Sequence, residues 1–225
     1  MDNKKSVVKE IVDVEWEMFA SVNEGSRKAA CQEDRVTFVG MRAAQFDAWP
    51  IEALVSYLGD LEDALVTGRN LIEEKYIRMM ENTEPTLYAA LQTRIRTPSD
   101  EARAIAREVS DILLEQTREL FKRYPFVTRH SRPLYASSNN GSVSLETYQL
   151  CELLTYSEKT LSTLRRHIEK LEKDGISLAR EILENTVKHY GYETLEKAET
   201  ATMRRTGAVH EVQTGRVTAD GDSNE

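Results

Sequence analysis

A carboxylate stands in the middle of an apolar helical face twice in this sequence. Val8, Ile11, Val12, Phe19 and Val22 recur at the spacing of one helix side, and Glu15 falls at the centre of that stripe. Leu145, Tyr148 and Tyr156 outline a second such face, and Glu152 lies among them. Amides accompany both. Arg42 and Gln45 sit with Phe38, Met41 and Trp49, while Gln116 sits among Ile105, Val109, Ile112, Leu113 and Leu120. Gln149 takes the place in its segment that Arg42 takes in the earlier one. A buried carboxylate is costly unless it is paired, hydrogen-bonded or protonated, and a guanidinium can satisfy one through two parallel bonds. Arg42 is the nearest such partner. Two readings stay open at this point. The polar groups either close into networks that fix helix register or form a site. In the site reading Glu15 and Glu152 serve as acid/base or orienting carboxylates, Arg42 binds an anionic group, and Gln45, Gln116 and Gln149 position the rest, with Tyr156 beside Glu152.

Other chemistry-bearing residues are more scattered. Lys75 lies close to Leu71, Ile72 and Met79, with Tyr76 on the same face. A lysine there snorkels to water, or, if buried, has a lowered pKa suited to base or Schiff-base chemistry. Arg69, Glu74, Arg78 and Glu81 follow at helical spacings typical of a salt-bridged surface. Two loops are locally basic. One carries Gly25, Ser26, Arg27 and Lys28 ahead of Cys31, and the other carries Arg129, His130 and Arg132. Either could present donors to an anion. Cys31, near two cations, is the candidate thiolate nucleophile, although no base is visible beside it.

Several function classes are disfavoured. His130, His167, His189 and His210 are dispersed and no Glu-x-x-His pair occurs, so no metal is expected; no Walker loop or dinucleotide fingerprint appears, and no cofactor is implied. The formal net charge of −8 argues against nucleic acid as a partner. No apolar run is long enough to span a membrane, the first residues lack a signal peptide core, and two cysteines make no disulfide scaffold. A cytoplasmic protein is expected.

These residues must be held by helices. Of the 225 residues, 40% are hydrophobic and 30% charged, with only 10 Gly and 5 Pro, and no segment alternates with the period of two that marks a half-buried strand. The fold class expected is all-α. Helices are predicted over Ser6 to Val22, from Asp34 or Thr37 to Trp49, from Pro50 to Gly68, and from Arg69 to near Pro85. In the second half they run from Ser99 or Asp100 to Phe121, from Ser144 through Tyr156, up to Gly175, and from Ile176 to Tyr190. From about Thr200 the chain is polar and reads as a mobile tail.

The two halves echo one another. Leu54, Glu62, Gly68, Leu71 and Glu74 match Leu161, Glu169, Gly175, Leu178 and Glu181, each 107 positions on. Val8, Ile11, Val12 and Phe19 match Val109, Ile112, Leu113 and Leu120 at an offset of 101. The tripeptide Glu-Asn-Thr closes at Thr83 and again at Thr186, an offset of 103, which implies a last helix about one turn shorter in the second half. Self-similarity at a fixed period indicates repeated structure. The expected organisation is a half-repeat over 1–98, a second over 99–199 packed on it as one unit about a pseudo-two-fold axis, and a tail over 200–225.

The phrases VEWEMFASVNEGSRKAACQED, TFVGMRAAQFDAW, GRNLIEEKYIRMMENTEP, LETYQLCELLTYSEKTL and ILENTVKHYGYETLEKAE resemble a bacterial family, domain of unknown function 4125, over nearly all of residues 5 to 199. The resemblance implies a compact single unit and brings no activity or site residues with it. The function expected from the residues is binding of a small polar, anionic molecule between the two helical halves, with proton-transfer or nucleophilic chemistry if the protein is an enzyme. The alternative is a non-catalytic helical module that binds another protein and uses its inward polar groups only for packing. The sequence sets no oligomeric state.

Overall fold

The computed structural model describes residues 2–22, 34–129, 131–136 and 143–206. Among them are ten α-helices and no strand: α1 Asp2–Ser21, α2 Arg35–Asp47, α3 Ile51–Val66, α4 Leu71–Thr83, α5 Pro85–Leu91, α6 Asp100–Arg123, α7 Leu145–Leu153, α8 Glu158–Lys173, α9 Leu178–His189 and α10 Leu195–Arg205. The fold is all-α. Short polar side chains start most of these helices by satisfying otherwise orphaned N–H groups. Asp34 accepts from the Thr37 N–H, Asn70 from Glu73, Ser99 from Ala102, Ser144 from Thr147 and Ser177 from Arg180. Gly68 and Gly175 take positive φ, 69° and 71°, just past the ends of α3 and α8. That conformation stops the helix with no Cβ strain.

In the first half α1 packs on α2, α3 and α4; in the second α6 packs on α7, α8 and α9. The halves meet through α3 against α8, α2 against α9 and α4 against α7. The seam between α3 and α8 is apolar, with Leu54, Leu61, Leu161 and Ile168 fully buried. One polar knot crosses it, the Thr160 hydroxyl contacting Ser56 Oγ at 2.8 Å and Asp60 Oδ2 at 2.7 Å. The main core draws on both halves. A satellite core of Leu120, Tyr124, Val187, Leu195 and Ala198 lies under α10.

The helices depart from the expected set at three places. The first is the short α5, absent from that set, which buries no residue. The second is α10, which buries only Leu195 and Ala198 and runs through Arg205, past the expected start of the tail at Thr200; the remainder, 207–225, lies outside the described residues. Third, α9 is not a turn shorter than α4: they hold 12 and 13 residues, because α9 continues past the second Glu-Asn-Thr to His189.

Candidate functional site

Four ionised side chains from four helices meet where the halves join. Glu15, from α1, is fully buried, and Arg42, from α2, grips it through two parallel bonds, Nε to Oε2 at 2.6 Å and Nη2 to Oε1 at 2.5 Å. The Tyr57 hydroxyl of α3 donates to the same Glu15 Oε1 at 2.7 Å. The remaining Arg42 nitrogen, Nη1, turns to the second half. It donates to Gln45 Oε1 and to Glu152 Oε1 of α7, both at 2.9 Å. Glu152 Oε1 also accepts from Tyr156 Oη at 2.8 Å and Gln45 Nε2 at 3.1 Å. Its other oxygen accepts from Lys75 Nζ of α4 at 2.9 Å, and Lys75 donates again to Tyr148 Oη at 2.7 Å. Two carboxylates and two cations cancel, which lets the group survive burial.

The surroundings pin the protonation states. Burial alone would raise the Glu152 pKa, but Arg42 and Lys75 outweigh it and hold the carboxyl well below the ordinary range. Burial would likewise strip Lys75, yet Glu152 and Tyr148 keep it an ammonium, above the usual lysine value. Burial, then Glu15, pushes the Tyr57 hydroxyl far up, and burial, then Glu152, does the same to Tyr156. The lowered lysine pKa expected of a buried Lys75 is therefore corrected. Its paired carboxylate, absent from a purely apolar pocket, reverses the sign. A lysine held toward its charged form is a poor Schiff-base nucleophile, and a carboxyl held toward its ionised form is a poor proton donor.

The other sequence candidates lie apart. Gln116 is half-buried on α6 and does not touch Glu152. Its Oε1 accepts from Ser177 Oγ at 3.0 Å and the Ala179 N–H at 3.1 Å, capping α9. Gln149 donates to the Ser110 carbonyl and hydroxyl, tying α7 to α6. Arg69 clasps Glu74 at the start of α4, with Arg78 beyond it. Tyr76 flanks the cluster, 5.7 Å from the Lys75 ammonium. Arg132 is exposed and stacks on the Tyr148 ring at 4.8 Å. Cys31 lies outside the described residues. Cys151 is buried and its thiol is pushed up to about 11 by burial. Among the described residues no three metal-ligating side chains converge, and no helix is long and apolar enough to cross a membrane.

Beside the polar cluster lies a feature that the sequence does not reveal, a cavity of 730 Å³. Its wall takes Leu113, Leu153 and Leu164 from the main core and Leu120, Val187 and Ala198 from the satellite core. Gln45, Tyr148, Gln149, Glu152 and Tyr156 bring it to the edge of the charged cluster. A space this large, apolar-walled with a few polar groups on one side, has the form of a small-molecule site.

Fold and site together define a single-chain helical domain with a charge-neutral polar cluster at the junction of its halves and an apolar cavity alongside. The chain belongs to the family described as "Protein of unknown function (DUF4125)", whose profile matches residues 5–200. No curated protein and no solved structure matches it.

Proposed function

We propose that this protein binds a small molecule with an apolar body and a hydrogen-bonding head, the body in the 730 Å³ cavity and the head toward Tyr148 and Gln45. The observation that carries this reading is the cavity itself, a half-open pocket walled by apolar side chains of α6, α7, α9 and α10 with polar groups along one side. The position beside the polar cluster agrees with the sequence-based expectation, but the ligand differs. A purely polar anion would leave Leu113, Leu164, Leu183 and Val187 facing it, and Arg42 already gives four bonds to protein acceptors. The polar cluster acts as the rigid back wall, holding five helices in register.

Two further readings accompany this one. The halves are related repeats, supported by the matched turns at Gly68 and Gly175 and by the pairing of α2 with α9 as α4 with α7. A reducing, cytoplasmic setting suits the free buried thiol of Cys151. A protein-partner role has less support: the exposed apolar side chains Val36, Val55 and Leu87 belong to three different helices.

The test is titration with Nile red, an apolar dye that brightens out of water. Saturable binding to one site is expected. Thr202→Trp, on the α10 wall, and Ala179→Phe, on the α9 wall, weaken it while leaving the unfolding midpoint near that of the native protein. Absence of saturable binding by the native protein overturns the reading.

A further inference from the structure

Tyr148 belongs both to the charged cluster and to the cavity wall, and its hydroxyl lacks a full set of partners among the described residues. It lies half-buried on α7 and lines the cavity. Its oxygen accepts from Lys75 Nζ at 2.7 Å. An ammonium only donates, so the phenol proton must point elsewhere. Among the described residues none accepts it. Tyr156, by contrast, spends its proton on Glu152, and Tyr57 spends its own on Glu15. With no acceptor among the described residues, that proton is available to one on the occupant.

Charge says what kind of acceptor. The Lys75 ammonium is 3.9 Å from the centre of the Tyr148 ring and the Arg132 guanidinium is 4.8 Å from it. Two cations against one phenol withdraw charge from the oxygen and strengthen the bond its proton can give. The inner cluster is neutral, Glu15 and Glu152 against Arg42 and Lys75. Arg132 and Arg205 are different. Arg132 donates to the Val143 carbonyl at 3.3 Å and Arg205 to the Thr202 hydroxyl at 3.4 Å, and no described carboxylate pairs with either. Arg205 also lines the cavity. Glu152 faces the same space, but both its oxygens are already taken by Arg42, Gln45, Tyr156 and Lys75. The cations left over from the neutral cluster, Arg205 on the wall and Arg132 against the Tyr148 ring, favour a negative head. An amine head would meet like charge, and a neutral ester would gain the Tyr148 bond but nothing from Arg132.

Resting on the cavity reading above, we propose that the ligand is an apolar-bodied carboxylate, its head received by the Tyr148 hydroxyl and drawn by the Arg132 guanidinium, which is not itself part of the cavity wall but stacks on the Tyr148 ring. The test is displacement of Nile red by dodecanoate and by its methyl ester at fixed ionic strength. The native protein is expected to prefer the carboxylate by about tenfold, the worth of one charge-assisted bond. Tyr148→Phe and Arg132→Gln each shrink that preference, read as the ratio of acid to ester displacement within each variant so that any change in Nile red affinity cancels. Arg132 is exposed, so its variant folds even if loss of the Tyr148 hydroxyl disturbs Lys75. Equal displacement by acid and ester overturns the carboxylate and leaves the cavity reading standing. Failure of Nile red to bind at all removes both.

Discussion

Replacing Glu152 with glutamine exchanges one carboxylate oxygen for an NH2 group and should weaken the junction of the halves. The carboxylate accepts four bonds, from Arg42, Gln45 and Tyr156 on one oxygen and Lys75 on the other. The substituted amide can accept on one oxygen only. It must turn an NH2 group toward a cation, and it leaves the buried cluster with a net positive charge. Breaking a buried ion pair from one side costs about 3–5 kcal/mol, because the abandoned charge stays desolvated. For a chain of this size that corresponds to a fall in Tm on the order of 10 °C. Removing both charges is different. Glu152→Leu combined with Lys75→Met leaves no orphaned ammonium, and Arg42 keeps its two-bond grip on Glu15. The double variant should recover about 2 kcal/mol or more relative to the sum of the two single changes. Urea unfolding followed by circular dichroism, with slopes compared to confirm two-state behaviour, measures all four corners. Glu152→Gln within about 1 kcal/mol of the native protein, or a cycle that adds without coupling, would refute the reasoning.

The same pinned charges set a pH profile. Glu152 has a folded pKa below its ordinary 4.5, so its stabilisation is complete above that value and is lost as pH falls through the folded one. Lys75 has a folded pKa above its ordinary 10.5, so its share is complete below that and is lost only as pH rises through the folded value. Stability should be flat around neutrality and fall on acidification more steeply in the native protein than in Glu152→Gln, which urea midpoints across pH would show. Cys151 should resist alkylation by iodoacetamide in the folded protein at neutral pH, read by mass spectrometry; labelling at the rate of a free thiol would contradict its burial and raised pKa. Gly68→Ala and Gly175→Ala should each cost about 1 kcal/mol through backbone strain alone. An added Cβ would meet nothing within 4 Å at either turn. Markedly unequal costs would count against the two turns being equivalent.

How much of this could be seen in the residues depends on what each signal encodes. Glu15 and Glu152 stood out because a carboxylate interrupts an apolar stripe, and the stripe fixes the direction each one faces. Periodicity gives that direction but not the partner found there. Gln116 satisfied the same rule as Gln45, yet its height on α6 brings it to the start of α9, where it serves as a cap. Lys75 was placed near the interior by its apolar neighbours, while the sign of its pKa shift depended on Glu152, 77 residues away. Tyr148 only outlined a helical face and Tyr57 gave no signal, since nothing local announces where a hydroxyl points. The cavity was illegible for a related reason. It is a gap among side chains from several helices, and sequence encodes the residues, not the space between them. The short α5 and α10 bury almost nothing, so they carry no pattern to find.

The most direct test of the central claim is a methyl-detected NMR titration of the native protein with dodecanoate. Ligand in the cavity should shift the methyls of Leu113, Leu164, Leu183 and Val187, on its wall, in one saturating step. The methyls of Val8 and Ile72, in the main core away from that wall, should stay in place. Shifts confined to surface methyls, or none at saturating ligand, would contradict the account.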